Sequence, residues 1–261
     1  MPSVSEHPEK NIIRVQLRQN VVLKNLKEAE ISELESYLTV VDCHKGDFLL
    51  HQGVHEMEQY FVLDGILKRV VTSPTAKEMI LRFAAERDID TSYAAWRLKT
   101  PTPYSIVSVT KARVAKMALP QWIAFMERNR DIKQDFETEV MRLMSEIMAH
   151  TITLHLLDAP GRVHRFLRKH PELFDRIPKK ELASYLNLSA ETLSRLKHQG
   201  KIKSAPPGFL AASPRGGNPA RLHSTGWCPA SFAPRTVRSF FVAQEIAGQN
   251  SHSSATVVVE P

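Results

Sequence analysis

The segment from Ile177 to Ile202, IPKKELASYLNLSAETLSRLKHQGKI, holds two short amphipathic runs on either side of a turn, which predicts a helix-turn-helix. The first run opens with Pro178, tolerated at the start of a helix, and carries Leu182, Ala183, Tyr185 and Leu186 on one side. It should stop at Asn187, because Asn enters the left-handed region at modest cost. Ser189 is an N-cap candidate for a second helix that buries Leu193 and Leu196 and turns Glu191, Thr192, Ser194, Arg195 and Lys197 outward. A helical hairpin that only packs would have the same apolar pattern, so the charges must decide between the two readings.

Eleven Lys or Arg between Gly161 and Lys203 face only four acids, so the whole formal charge of +7 is matched by this one stretch. The first 160 residues are slightly acidic, and the tail from Ser204 has four Arg against two Glu. Such asymmetry favours a polyanion as partner of the helix pair. With 261 residues, 43% hydrophobic and 24% charged, the chain has the composition of a globular protein of one large or two ordinary domains. No apolar run approaches the ~20 residues of a membrane span, and MPSVSEHPEK has no apolar signal segment, so a cytoplasmic protein is expected. Cys43 and Cys228, the only cysteines, offer no disulfide framework or cysteine-held cluster.

Residues 11–38 have mostly helical spacing. From Val40 to Met117 the period changes to short β-branched and aromatic runs cut by Gly46, Gly53 and Gly65, which predicts about seven antiparallel strands in a small barrel or sandwich. His44, His51 and His55 lie in three different local settings without a cysteine or carboxylate cluster, so neither a metal nor another cofactor is expected. Tyr93, Trp96 and Tyr104 fit core positions better than a shared pocket. A catalytic triad, paired carboxylates and a phosphate-binding glycine loop are all lacking, so an enzyme is not expected. Beyond Pro120 the pattern is helical again. Phe136, Val140, Leu143, Ile147, His150, Leu154 and Leu157 alternate intervals of four and three, which reads as a coiled-coil seam and a dimer interface. His150 would then meet its own copy across the axis and make the dimer acid-sensitive. Asp158-Ala159-Pro160-Gly161 reads as a hinge, followed by a helix with Val163, Phe166 and Leu167 inward.

KGDFLLHQG followed by YFVLDGILKRV resembles the β-roll of the cyclic-nucleotide-binding fold, and its order before a long helix and a helix-turn-helix is similar to the CRP/FNR family of transcription regulators. The resemblance implies an α+β fold: an N-terminal antiparallel β-roll of the double-stranded β-helix type, a long dimerisation helix and a C-terminal helix-turn-helix. It implies double-stranded DNA, a second copy of the chain and RNA polymerase as partners. In relatives that bind cyclic AMP, a Gly-Glu pair holds the ribose and an Arg-Ser pair the phosphate. Thr91 and Ser92 stand at the first pair here, Tyr104 and Ser105 at the second, so the four would line an effector pocket that lacks its arginine. An unidentified small molecule other than cyclic AMP is expected there. The E-x-x-S-R motif is matched by Glu191, Ser194 and Arg195, which implies base reading of a TTGA-like half-site. Lys179, Lys180, Ser189, Thr192, Lys197 and Lys201 would hold the DNA backbone, while Ala190 stands where some relatives have a base-reading Arg.

These readings divide the chain into a roll at 1–118, connecting and dimerisation helices at 119–158, a DNA-binding domain at 159–203 and a tail at 204–261. The tail is rich in Pro, Gly, Ser and Ala and is expected to be mostly disordered. Gly200 should close the second helix, with no β-hairpin wing after Ile202. Two rivals remain: a ligand-binding signalling module whose terminal helices bind protein, and an enzyme on a small β-barrel.

Overall fold

The structure, a computed structural model, describes residues 3–198. Helices α1 (Lys10–Arg18) and α2 (Glu28–Tyr37) precede strands β1 (Thr39–Cys43), β2 (Phe48–Leu50), β3 (Glu58–Asp64), β4 (Leu67–Thr72), β5 (Glu78–Ala84) and β6 (Ile89–Thr91). A short helix α3 (Tyr93–Leu98) leads to β7 (Ser105–Ser108) and β8 (Ala112–Ala118). There follow α4 (Leu119–Arg128), α5 (Arg130–Leu156), α6 (Ala159–Lys169), α7 (Lys179–Tyr185) and α8 (Ala190–His198). The expected tail, the closing Gly200, Lys201 and the stretch after Ile202 lie outside the described residues.

The strands form two four-stranded antiparallel sheets, β1-β8-β3-β6 and β2-β7-β4-β5, which face each other as the expected β-roll. Among the described residues there are eight strands, one more than the spacing of turn residues indicates. Along β3 the pleat sends Tyr60 and Val62 into the roll, where they meet Leu50, Leu67, Ile106 and Val114. Phe61 and Leu63 point the other way, into a core with Trp122, Phe125 and Phe136 from α4 and α5. With both faces covered, the strand reads as an unbroken apolar run instead of an alternating one. The second sheet is treated likewise, with Leu67 inward while Ile66, Val70, Ile80 and Phe83 meet Val163, Phe166, Leu182 and Tyr185 of α6 and α7. Gly65, which joins β3 to β4, has φ +86°, and a Cβ there would lie 2.4 Å from the Lys111 carbonyl oxygen. Only glycine fits that approach.

The continuous helix expected over residues 11–38 is two helices separated by a turn. Asn20 breaks it: its buried side chain accepts from the Val22 N–H and donates to the Asp88 carbonyl, so the chain leaves the helix to dock on the roll. Val22 and Leu26 are buried from that turn, which explains why their spacing looked helical.

Helix α5 runs for 27 residues, about 40 Å at the usual rise. The seam expected on it is turned toward its own chain: Phe136 and Leu143 are fully buried in the core beside the roll, and Val140 packs against it. His150 is stacked on Tyr185 with ring centroids 3.7 Å apart, and its Nε2–H donates to the Tyr185 carbonyl at 3.0 Å. The side left outward is Met141, Met144, Met148, Ile152 and Leu156, each at least half exposed. Intervals of three and four specify a stripe, and here the core on the chain's own first sheet claims Phe136, Val140 and Leu143 while Tyr185 of α7 claims His150, one step round from the methionines.

The Asp158 to Gly161 segment is a helix start, not an open linker. Asp158 caps α6 by accepting from the Gly161 N–H at 2.9 Å, and Pro160 lies in the first turn. His170, near the end of the same helix, is held down to about 4 by burial and then by Lys169, with Glu146 opposing. His150 is also lowered to about 4, by burial first and then by Lys169, Arg165 and Arg162, against the hydrogen bond to Tyr185. Both rings are therefore neutral in the fold and gain a proton more readily when it opens. Their contribution is complete above the unfolded value near 6.5 and is lost as pH falls toward 4, on the order of 1–3 kcal/mol for each ring. Urea midpoints measured between pH 7 and 4.5 should fall accordingly, and His170→Gln should flatten part of that slope.

Candidate nucleic-acid interface

The helix pair forms as its residues require. Asn187 takes φ +53° at the turn, where the Leu188 N–H donates back to the Ala183 carbonyl at 2.9 Å. Ser189 Oγ accepts from the Thr192 N–H at 3.1 Å and lies 2.9 Å from the Thr192 hydroxyl, so both residues build the N-cap of α8. Leu193 and Leu196 anchor α8 in the core, while Glu191 and Arg195 are exposed and Ser194 is half-buried beside them. Arg195 makes no ion pair with any described residue, so its five donors point at solvent.

The cations expected to meet a backbone divide into two groups. Lys179 and Lys180 are exposed in the first turn of α7, where their charge opposes the helix dipole and gains nothing from packing. Lys197 is engaged instead, 3.3 Å from the Asp175 carboxylate and over the Phe174 ring. Among the upstream arginines, Arg162 turns inward to the carbonyls of Leu157, Leu186 and Asn187. The whole unit is tied to the roll by Lys68 to Glu181 at 2.7 Å and by a two-pronged contact of Arg176 with Glu86.

Inside the roll, Thr91 and Tyr104 of the four residues expected to line an effector pocket meet directly, while Ser92 and Ser105 are bonded to other residues. Tyr104 Oη donates to the Thr91 carbonyl at 2.6 Å, Ser92 Oγ lies 3.1 Å from Thr102 Oγ1, and Ser105 Oγ accepts from the Gln52 N–H. All four are buried. Tyr93 and Trp96 sit elsewhere, against Phe136 on the outer core. The residues that sequence reasoning missed are Arg69, Arg82 and Asp90. Arg69 lies over the Tyr104 ring, 4.7 Å from its centroid, and donates to Asp90 Oδ1 at 2.6 Å and to the Thr91 carbonyl at 2.9 Å. Arg82 approaches the other Asp90 oxygen at 3.8 Å and Asp88 at 3.4 Å. The one signal for them was a charged pair, Lys68-Arg69, inside an otherwise apolar strand.

Residues 40–129 match the cyclic nucleotide-binding domain family. The chain is 23% identical over 213 residues to the nitrogen fixation regulation protein FixK of Bradyrhizobium diazoefficiens, covering 76% of this chain and 88% of that protein. It is 22% identical over 176 residues to the cAMP-activated global transcriptional regulator CRP of Salmonella typhimurium, covering 62% and 84%. The chain thus carries a cyclic nucleotide-binding domain and is similar to regulators of the CRP/FNR family. Two solved structures share its fold: FixK2 from Bradyrhizobium japonicum, with a TM-score of 0.54 at 16% identity over 62% of this chain and 86% of that one, and the c-di-GMP responsive global regulator CLP of Xanthomonas campestris, with 0.56 at 13% over 67% and 93%.

The cations around this cradle are already engaged within the chain. The Tyr104 ring lies against the nearest guanidinium, Arg69, which is neutralised by Asp90 and occupied by a backbone carbonyl. A cyclic phosphate placed there would lack a counter-charge in a buried site. Millimolar cyclic AMP or cyclic GMP should leave the melting temperature unchanged, whereas a rise of several degrees in a thermal scan would show that the Arg69–Asp90 pair opens for the ligand.

Proposed function

We propose that this chain is a homodimeric, sequence-specific DNA-binding transcription regulator that works in the cytoplasm and contacts RNA polymerase, with an effector other than cyclic AMP. The observation that carries this reading is the capped helix α8. Leu193 and Leu196 hold it while Glu191, Ser194 and Arg195 occupy its outward side. Arg195 supplies a bidentate fork for guanine, Glu191 accepts from a cytosine or adenine amino group, and Ser194 serves either role. Lys179 and Lys180 meet phosphates. Lys197 does so only by leaving Asp175, and Ser189 and Thr192 keep the cap in register. The relatives named above are a nitrogen fixation regulator and a global transcriptional regulator, which supports gene regulation over catalysis or protein docking.

The second copy sits on the methionine side of α5. Met141, Met144, Met148, Ile152 and Leu156 form an apolar stripe along about four turns of the helix, and nothing in the described chain covers it. This face replaces the Phe136 to Leu157 seam, of which Phe136, Val140 and Leu143 pack in their own chain's core and His150 stacks on Tyr185. A two-fold axis there presents two α8 helices to an inverted repeat of TTGA-like half-sites about 34–36 Å apart.

Binding to such a repeat and to scrambled DNA at two salt concentrations tests the reading. Equal affinity for both removes specific readout, and no binding at all favours a protein partner. Arg195→Ala should cost about 1–3 kcal/mol and relax one base position, whereas Lys179→Ala should weaken all sequences alike and lower the salt slope. Met148→Glu should shift sedimentation toward the monomer and weaken binding to the full repeat more than to one half-site.

A further inference from the structure

A cleft lies where β5, α5, α6 and α7 meet, outside both the roll interior and the reading face of α8. Its floor is apolar, made by Phe83, Ile147, Phe166, Leu173 and Tyr185. Its rim is basic: Arg82, Arg162, Arg165 and Lys169 line it, against the single carboxylate of Glu146. Two of these cations are already balanced, Arg82 by Asp88 and Asp90, and Lys169 by Glu146 at 3.2 Å. Arg162 meets only carbonyl oxygens, and Arg165 makes no ion pair among the described residues. Two positive charges therefore border an apolar floor with no carboxylate assigned to them. The field is strong enough that Lys169, Arg165 and Arg162 all help keep the neighbouring His150 ring neutral.

We propose that this cleft binds a small organic anion, an aromatic carboxylate, with its head on Arg165, beside the positive charge of Arg162, and its ring on the floor. A carboxylate matches the fork of an arginine in a bidentate contact, and a flat ring suits walls built from Phe83, Phe166 and Tyr185. The free space is about 610 Å³ counted to the open mouth, room for a single-ring ligand. Because strand β5 of the roll, the long helix and both helices before the reader contribute walls, such a ligand fastens the sensor to the DNA-reading unit. That regulatory consequence rests on the function proposed above, but the binding itself does not.

The probe is benzoate, titrated by calorimetry or saturation-transfer NMR into the full chain without DNA at low ionic strength. Benzoate should bind at millimolar concentration, neutral benzamide at least about tenfold more weakly, and cationic benzamidine not at all. Arg165→Gln should weaken benzoate about tenfold, while Arg168→Gln, which removes the same charge from the same helix outside the cleft, should change it less than about twofold. Circular dichroism of both variants confirms that the fold is kept, since both side chains are exposed. The proposal is overturned by absence of benzoate binding, by equal binding of benzamide, or by equal losses in the two arginine variants. None of these results bears on DNA reading, which is measured separately.

Discussion

Two sheets that face each other bury only their inner sides, and everything else in this chain follows from the need to cover the outer ones. The first sheet is covered by α1, α2, α4 and the start of α5, through Trp122, Phe125 and Phe136. The second sheet is covered by α6 and α7, through Phe166, Leu182 and Tyr185 on Ile80 and Phe83. The roll and the helix pair are thus one apolar core on that side. Separating them exposes buried Ile, Val and Phe surface at about 25 cal/mol per Å², and it also breaks Lys68–Glu181 and Arg176–Glu86.

The roll interior holds a buried charge cluster. Asp90 is completely buried between Arg69 and Arg82, and Tyr104 lies against the same guanidinium. Buried charges persist only when paired, and here Asp90 supplies the counter-charge for both guanidinium groups. The Thr91 hydroxyl and one Asp90 oxygen have no hydrogen-bond partner among the described residues, and so this packing is polar but incompletely satisfied.

Local signals were legible and shared surfaces were not. Asn187 and Ser189 declared the turn and the cap because both act on backbone groups within a few residues. The roll was visible because glycine turns and β-branched runs are short-range features. The direction of α5 was not visible, because a stripe at intervals of three and four fits a neighbouring sheet as well as a second copy. Only the placement of Tyr185 beside His150 and of the roll beside Leu143 decides it. The break at Asn20 was missed for the same reason: its cause is the Asp88 carbonyl, 68 positions away in sequence. Arg69 and Asp90 are likewise paired across strands, and no spacing rule joins them.

The junction between α5 and α6 consists of Leu157 and Asp158 alone. Asp158 is fixed by its cap to Gly161, and the Leu157 carbonyl is held by Arg162. Two rods of 27 and 11 residues therefore meet at a joint with only a few soft dihedral angles. A joint of that kind leaves α6 few ways to turn against α5, so α6 and the helices after it keep a restricted set of orientations to the long helix.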